Sequence, residues 1–257
     1  MNAWLRLEPM CLIAWRWQPD ADVPLVVVAN RDEFYARPTL AMHWWAGADI
    51  LAGRDLHAGG SWLGLGRSGR FAAITNFRTP ESPRNELRSR GELVTEFLQA
   101  QCTPSQYLSA LTSRSEDYNP FNLLVSDGHQ LMGLESRSKR GFLIEPGVGA
   151  VSNADFNTPW PKLHRLTQDL AQTSDPGAVD PSVLFEMLQR REVAKDEQLP
   201  HTGIALERER ALSAAFIQTP EYGTRASTVV RQTRTGCEVW ERRFDANGPA
   251  GELRFSY

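Results

Sequence analysis

The sequence is short of most features that fix a function at a glance. It has three cysteines, at 11, 102 and 237, an odd count with no CxxC spacing. That argues against a disulfide framework or a cysteine zinc site, so each thiol needs its own explanation. None of the five histidines (43, 57, 129, 164 and 201) stands in a Cys-His motif, and no metal is expected. Charge of one sign is scarce too. The 28 Lys and Arg against 31 Asp and Glu leave a net charge of −3, with no general pull towards nucleic acid or an anionic membrane. The arginine clusters at Arg67 and Arg70, Arg84 to Arg90, and Arg190 and Arg191 read mostly as solvated loop or helix faces. The longest apolar run, Pro24 to Ala29, falls far short of the roughly 18 to 20 residues that span a bilayer. MNAWLRLEPM at the start lacks the apolar core of a secretory signal. A cytoplasmic chain is therefore expected. Repeats and low-complexity tracts are missing. The stretch Gly53 to Gly66, with GGSWLGLG inside it, has no phosphate-loop pattern and does not lead into a helix. It reads as a loop or hairpin packed on a sheet, whose glycines would let backbone approach a ligand.

What is present suits a soluble globule. Hydrophobic residues make up 41% and charged residues 23% of 257 positions, enough for one large domain. Apolar or alternating runs predict strands over Cys11–Trp17, Leu25–Asn30, Phe71–Asn76, Asn122–Ser126 and Gln130–Glu135. Asp127-Gly128 supplies hairpin turn chemistry between the last two. Shorter strands are expected at Phe142–Ile144 and Gly149–Ser152, and three more at Ala226–Gln232, Glu238–Phe244 and Glu252–Phe255. Helical spacing marks Glu92–Gln101, Pro104–Leu111 behind a capping Thr103, Trp160–Ala171 behind Thr158-Pro159, and Ser182–Arg191 behind Asp180-Pro181. Strands, then helices, then strands again predict an α+β fold with helices layered on antiparallel sheets.

Two constellations carry chemistry. Cys11 opens an apolar strand, where a lone cysteine is ordinarily a small core residue. It also follows Met10. A chain begun at Met10 and stripped of that methionine would start with Cys11. A first-residue cysteine holds a thiol of pKa near 8.5 and an α-amine near 7.7 to 8.0, a nucleophile and its base in one residue. The second constellation is Asn30-Arg31-Asp32-Glu33, directly after PLVVVA. By itself it reads as a charged turn at a strand end.

The blocks MCLI, VVVANRDEFYARPT, GGSWLGLG, AAITNFR and YGTRASTV resemble, in one order, those of the NRDE family, which includes the eukaryotic transport-and-Golgi-organisation protein 2. That family is similar in turn to the cysteine N-terminal-nucleophile (Ntn) hydrolases that cleave penicillin V and conjugated bile acids. The resemblance implies a four-layer αββα sandwich of two mainly antiparallel sheets over residues 11–257, with 1–10 an extension that is a mis-assigned start or is removed. It implies Cys11 as nucleophile, with Arg31 and Asp32 as its early charged pair, although the order Arg-Asn-x-Asp usual there is not kept. Asn76 and Asn153 would supply amide donors to an oxyanion, and Arg225 a late charge or carboxylate clamp. Asn30, Glu33 and Trp62 are candidates for the substrate pocket. The single-residue alternatives stay open: Asn76 closing a turn, Asn153 capping a segment, Arg225 in a structural ion pair.

Three functions follow. The first is an amidohydrolase that cuts a C–N bond of a small amide through a thioester at Cys11, without cofactor. The second is a non-catalytic carrier of haem or an apolar lipid ligand, since the eukaryotic relatives are linked to haem mobilisation and lipid metabolism; no CP dipeptide or CxxCH motif supports it. The third is a trafficking protein that keeps only the shell. Substrate and oligomeric state are not legible in the sequence.

Overall fold

A computed structural model describes residues 10–257, so the expected N-terminal extension lies, but for Met10, outside the described residues. The strands are β1 (Met10–Trp17), β2 (Leu25–Phe34), β3 (Thr39–Trp44), β4 (Leu51–Asp55), β5 (Leu63–Leu65), β6 (Phe71–Asn76), β7 (Phe121–Ser126), β8 (Leu131–Glu135), β9 (Arg140–Leu143), β10 (Gly147–Val151), β11 (Tyr222–Gln232), β12 (Cys237–Asp245) and β13 (Gly248–Ser256). The helices are α1 (Gly91–Gln99), α2 (Pro104–Thr112), α3 (Pro161–Gln172), α4 (Pro181–Leu188) and α5 (Leu206–Leu212). One sheet runs β10-β1-β2-β11-β12-β13 and the other β3 to β9 in order. Every pairing in both is antiparallel.

The two-residue period of a strand sorts the apolar side chains into layers. Ile13, Trp15 and Trp17 of β1, with Val27 and Ala29 of β2, pack against Leu63, Leu65, Phe71, Ala73 and Leu124 of the other sheet. Their neighbours Leu12, Ala14, Val26 and Val28 point the opposite way, onto Leu163, Leu166 and Leu170 of α3 and Leu184, Phe185 and Leu188 of α4. On the far side, Ala72, Ile74, Leu123 and Val125 meet Leu93, Val94 and Phe97 of α1 and Leu108 and Leu111 of α2. The layer order is therefore helix, sheet, sheet, helix, the αββα sandwich that the resemblance implies. It also explains why β2 opens on a continuous apolar run: both faces are covered.

Several elements depart from expectation. The NRDE tetrapeptide is not a turn but the outer half of β2, which runs on to Phe34. Strands flank it on both sides, β1 at Met10–Leu12 and β11 at Tyr222–Ser227, and their hydrogen bonds keep four polar residues extended. The Gly53–Gly66 stretch contributes to two strands, β4 and β5. Helix α3 starts later than Thr158-Pro159 suggests, with Trp160 at the cap and Pro161 at N1, while the Thr158 hydroxyl donates to Asp155 O instead. Helix α5, LERERAL, has no counterpart in the sequence pattern, because its dense charge hides an apolar face of little more than Leu212. The caps at Thr103, in a capping box with Gln106, and at Asp180 are as expected. Among the described residues no helix is long and apolar enough to cross a membrane.

Candidate active site

The outer half of β2 is where the interior turns polar. Across the first sheet, Cys11 stands opposite Arg31, Arg31 opposite Ala226, and Ala226 opposite Arg243. Residues directly opposite share a face, and here it is the face of Ile13 and Trp15, turned towards the second sheet. The next row inward is Ile13, Ala29, Thr228 and Glu241, and the one beyond is Trp15, Val27, Val230 and Val239. The inner face thus grades from apolar to charged as it reaches a cleft of about 720 Å³. Cys11, Arg31, Glu33, Trp62, Asn76, Arg225, Glu241 and Arg243 all contribute to its lining.

Cys11 sits at the floor of this cleft, only 6% exposed. Burial pushes its thiol up to about 12; the Arg31 guanidinium opposes that rise, while Asp32 and Glu33 add to it. With a peptide bond on its nitrogen, Cys11 is a protonated thiol at neutral pH. Arg31 is held by Glu33, with Nη2 to Oε2 at 3.3 Å, and both side chains are largely buried. Glu33 Oε1 accepts from the Phe34 amide at 2.8 Å. Burial raises the Glu33 carboxyl, against the pull of Arg31.

Asp32 lies on the opposite face of the same strand. Its Oδ1 accepts from the Thr224 hydroxyl at 2.6 Å, and its Oδ2 has no partner among the described residues. Met10, its cross-strand neighbour, shares that face. Burial raises Asp32 to about 6, with Lys162 the largest opposing influence. Lys162, in the first turn of α3, is buried, and its Nζ has no partner either. Burial lowers it to about 8, against the pull of Asp32. Close by, Arg78 bonds Glu209 at 2.7 Å, stacks over Trp160 at 4.8 Å and reaches Met10 Sδ at 3.2 Å. The Met10 amide donates to the Tyr222 hydroxyl at 3.0 Å.

The other expected residues fall into three groups. Asn76 closes β6 on the cleft wall, and its carbonyl accepts from Asn153 Nδ2 at 2.9 Å. Asn153 is buried away from the cleft lining, with the Ser152 hydroxyl 2.9 Å from its Oδ1 and 2.7 Å from Cys11 O. Asn153 therefore ties the end of β6 to the strand carrying Cys11. Arg225 sits at a break in register between Thr224 and Ala226 and donates to the carbonyls of Phe34, Tyr35, Arg37 and Phe244. It builds the wall of the cleft through backbone. Trp62 and Glu33 line the cleft. Asn30 does not, and its place in the substrate pocket is corrected. It points at the helix layer, donating to Leu188 O at 2.8 Å and Ala215 O at 2.7 Å and accepting from Ser227 at 2.6 Å. The parity of the strand requires this, since residues 30 and 31 cannot share a face.

Sequence reasoning missed Lys162, Arg78, Glu209, Glu241 and Arg243. A lysine at the start of an amphipathic helix carries no mark of burial, and Arg78 and Glu209 meet only through the fold. For Glu241 and Arg243 a signal existed: alternation along β12 puts them on the face of Val239. Among the described residues no cluster of His, Cys, Asp and Glu is placed to hold a metal.

Residues 10–246 match the model of the family described as Transport and Golgi organisation 2. The chain is similar to the Transport and Golgi organization protein 2 homolog of Bos taurus, 32% identical over 243 residues, which cover 86% of this chain and 88% of that protein. The Mus musculus homolog is 31% identical over 260 residues, covering 91% and 92%. Among solved structures, an N-acylethanolamine-hydrolyzing acid amidase ortholog from Caenorhabditis elegans has a TM-score of 0.49 at 11% identity, over 69% of this chain and 85% of that one. A mutant conjugated bile acid hydrolase from Clostridium perfringens has a TM-score of 0.44 at 10% identity, over 96% of each.

Proposed function

The chain belongs to the Transport and Golgi organisation 2 family, and from that premise we propose that it is a cysteine Ntn amidohydrolase acting on a small amide in the cleft above Cys11. The observation that carries this reading is the position of the thiol. It lies at the first strand's polar end, opposite Arg31, on the floor of a cleft between the sheets.

The chemistry begins when the peptide bond between Met10 and Cys11 is gone. The freed α-amine takes the thiol proton, and sulfur bonds to the substrate carbonyl carbon as the carbonyl π pair moves to oxygen. Arg31, opposite the sulfur, favours the thiolate. The Asn76 side-chain amide, on the cleft wall, is the candidate donor to the oxyanion; one such donor contributes roughly 3 to 4 kcal/mol in a dry site. Collapse breaks the C–N bond, and the leaving amine takes its proton from the α-ammonium. Water then attacks the thioester, giving up its proton to the α-amine; collapse breaks the C–S bond, the acid departs, and the sulfur takes its proton back from the α-ammonium. Asn153 contributes by fixing Asn76 and, through Ser152, the Cys11 carbonyl. Arg243, on the Cys11 row, and Arg225 add positive charge to the far wall, which suits a substrate with an anionic group. That lining favours the hydrolase over a carrier of a wholly apolar ligand.

Intact mass spectrometry of untagged protein expressed from its native upstream DNA tests the first requirement. The expected mass is that of a chain beginning at Cys11. Such protein should release amine from members of a panel of small N-acyl amides, and Cys11→Ala should not. A mass that retains Met10, with no amine released by the protein or by a version started at Cys11, overturns the proposal.

A further inference from the structure

The polar atoms left over by the fold lie together. Asp32 Oδ2 and Lys162 Nζ are both buried and have no hydrogen-bond partner among the described residues. Asp32 is on the helix-facing side of β2, opposite Met10, and Lys162 comes down on that side from the first turn of α3. Each acts on the other electrostatically, and Lys162 acts on Cys11 as well. Isolated buried charges are costly, so two such groups facing one another point to a third group that both address. Cutting the bond between Met10 and Cys11 would supply it. The new α-amine would stand one peptide from the position where Met10 pairs with Asp32.

An α-amine beside Asp32 alone would be held as ammonium and could not take the thiol proton. A second cation in the same pocket works in the opposite direction. We propose that Lys162 is a positioning residue whose buried ammonium offsets Asp32 and so keeps the α-amine of Cys11 neutral, and able to act as a base, near neutral pH. This rests on the reading of Cys11 as the first residue. The charged and titratable groups around the amine come from every element packed there: Cys11 on β1, Arg31, Asp32 and Glu33 on β2, Tyr222 on β11, Lys162 on α3, Glu209 on α5, and Arg78 after β6. Arg78 is already neutralised by Glu209 at 2.7 Å, and Arg31 by Glu33 at 3.3 Å. That leaves Lys162 to balance Asp32.

The test uses the chain started at Cys11 and labelled with ¹⁵N-cysteine, which gives three cysteine signals of which one is an amine. Its titration is followed by NMR in wild type, Lys162→Met, Lys162→Gln and Asp32→Asn. The amide signals of Cys102 and Cys237 report that each variant is folded. In wild type the amine should titrate at or below about 7.7 to 8.0, the ordinary range. Either Lys162 variant should raise it by about one unit, and Asp32→Asn should lower it. A Lys162 variant that folds yet moves the amine by less than about 0.3 units, or downwards, overturns the proposal. The titration needs no substrate. A protein that hydrolyses no amide but shows these shifts defeats the proposed function and leaves Lys162 its role; one that hydrolyses amides without these shifts does the reverse.

Discussion

Cys11 shows how much a single peptide bond decides. Inside the chain its thiol is buried and pushed up to about 12, so only a trace is thiolate at neutral pH. On the proposed reading, freeing the N-terminus would give the same sulfur an adjacent amine to accept its proton, with Arg31 still opposite across the strand pair. Alkylation by iodoacetamide at pH 7.5 should therefore be at least about 100-fold faster at Cys11 when the chain starts there than when Met10 is attached. Peptide mapping by mass spectrometry separates Cys11 from Cys102 and Cys237. Equal rates in the two forms would mean that the amine does not activate the thiol. Asn30 makes the complementary case. It lies beside Arg31 and Asp32 in sequence and outside the cleft in space, bonded to two helix-layer carbonyls and a serine. Asn30→Ala leaves those groups buried without partners and should cost about 2 to 4 kcal/mol. The expected result in urea is a lower midpoint at unchanged slope, with Cys11 alkylation in the trimmed chain unaffected. A change in that alkylation with stability preserved would return Asn30 to the site.

At the scale of elements, one glycine of the glycine-rich block, Gly60, is fixed by a crossing of two backbones. A Cβ on Gly60 would stand 2.4 Å from the carbonyl carbon of Gly91, at the start of α1, and neither backbone can turn aside. The Ser61 amide donates to Gly91 O at 3.1 Å across the same contact. Gly60→Ala should cost about 1 to 3 kcal/mol by overpacking, read as a fall in the thermal midpoint. No fall at all would show that the crossing has slack. Why such elements were or were not legible follows from where their signal resides. The strands β1, β6 and β7 and the first half of β2 carry apolar runs and are visible, as are α2 and α4 with their Thr103 and Asp180 caps, because these signals are local. The continuation of β2 through NRDE was hidden: four polar residues look like a turn until β1 and β11 are seen to flank them. The same holds for the site. Cys11, Arg31 and Asp32 were readable from the motif, but their division between two faces needs the knowledge that the motif is a strand. Lys162 and Glu209, brought in by α3 and α5 from far along the chain, leave no trace in local pattern.

For the whole molecule, the charged pocket beneath Met10 couples layers whose packing is otherwise mainly apolar. Lys162 of α3 faces Asp32 of the first sheet, and Arg78, following β6 of the second sheet, meets Glu209 of α5. Such a cluster is built at the expense of stability, and the sign can be read from Lys162. Burial lowers it from 10.5 to about 8, so the folded state releases the proton before the unfolded state does. Below pH 8 both states carry the charge and the folded state bears the whole cost of burying it. Between pH 8 and 10.5 only the unfolded state is charged, and the cost fades as pH rises. Lys162→Met removes the charge and keeps most of the volume. At pH 7 it should be more stable than wild type by about 1 to 3 kcal/mol, the lower end applying because Asp32, without its cation, then holds its proton to higher pH. For a chain of this size each kcal/mol is about 2 to 4 °C in the thermal midpoint. The gap should be constant from pH 7 to 8 and shrink steadily towards pH 10. Thermal melts of the two proteins over that range decide the matter. A gap that widens with pH, or a variant less stable than wild type at pH 7, would mean that the Lys162 ammonium contributes to folding rather than being held there against it.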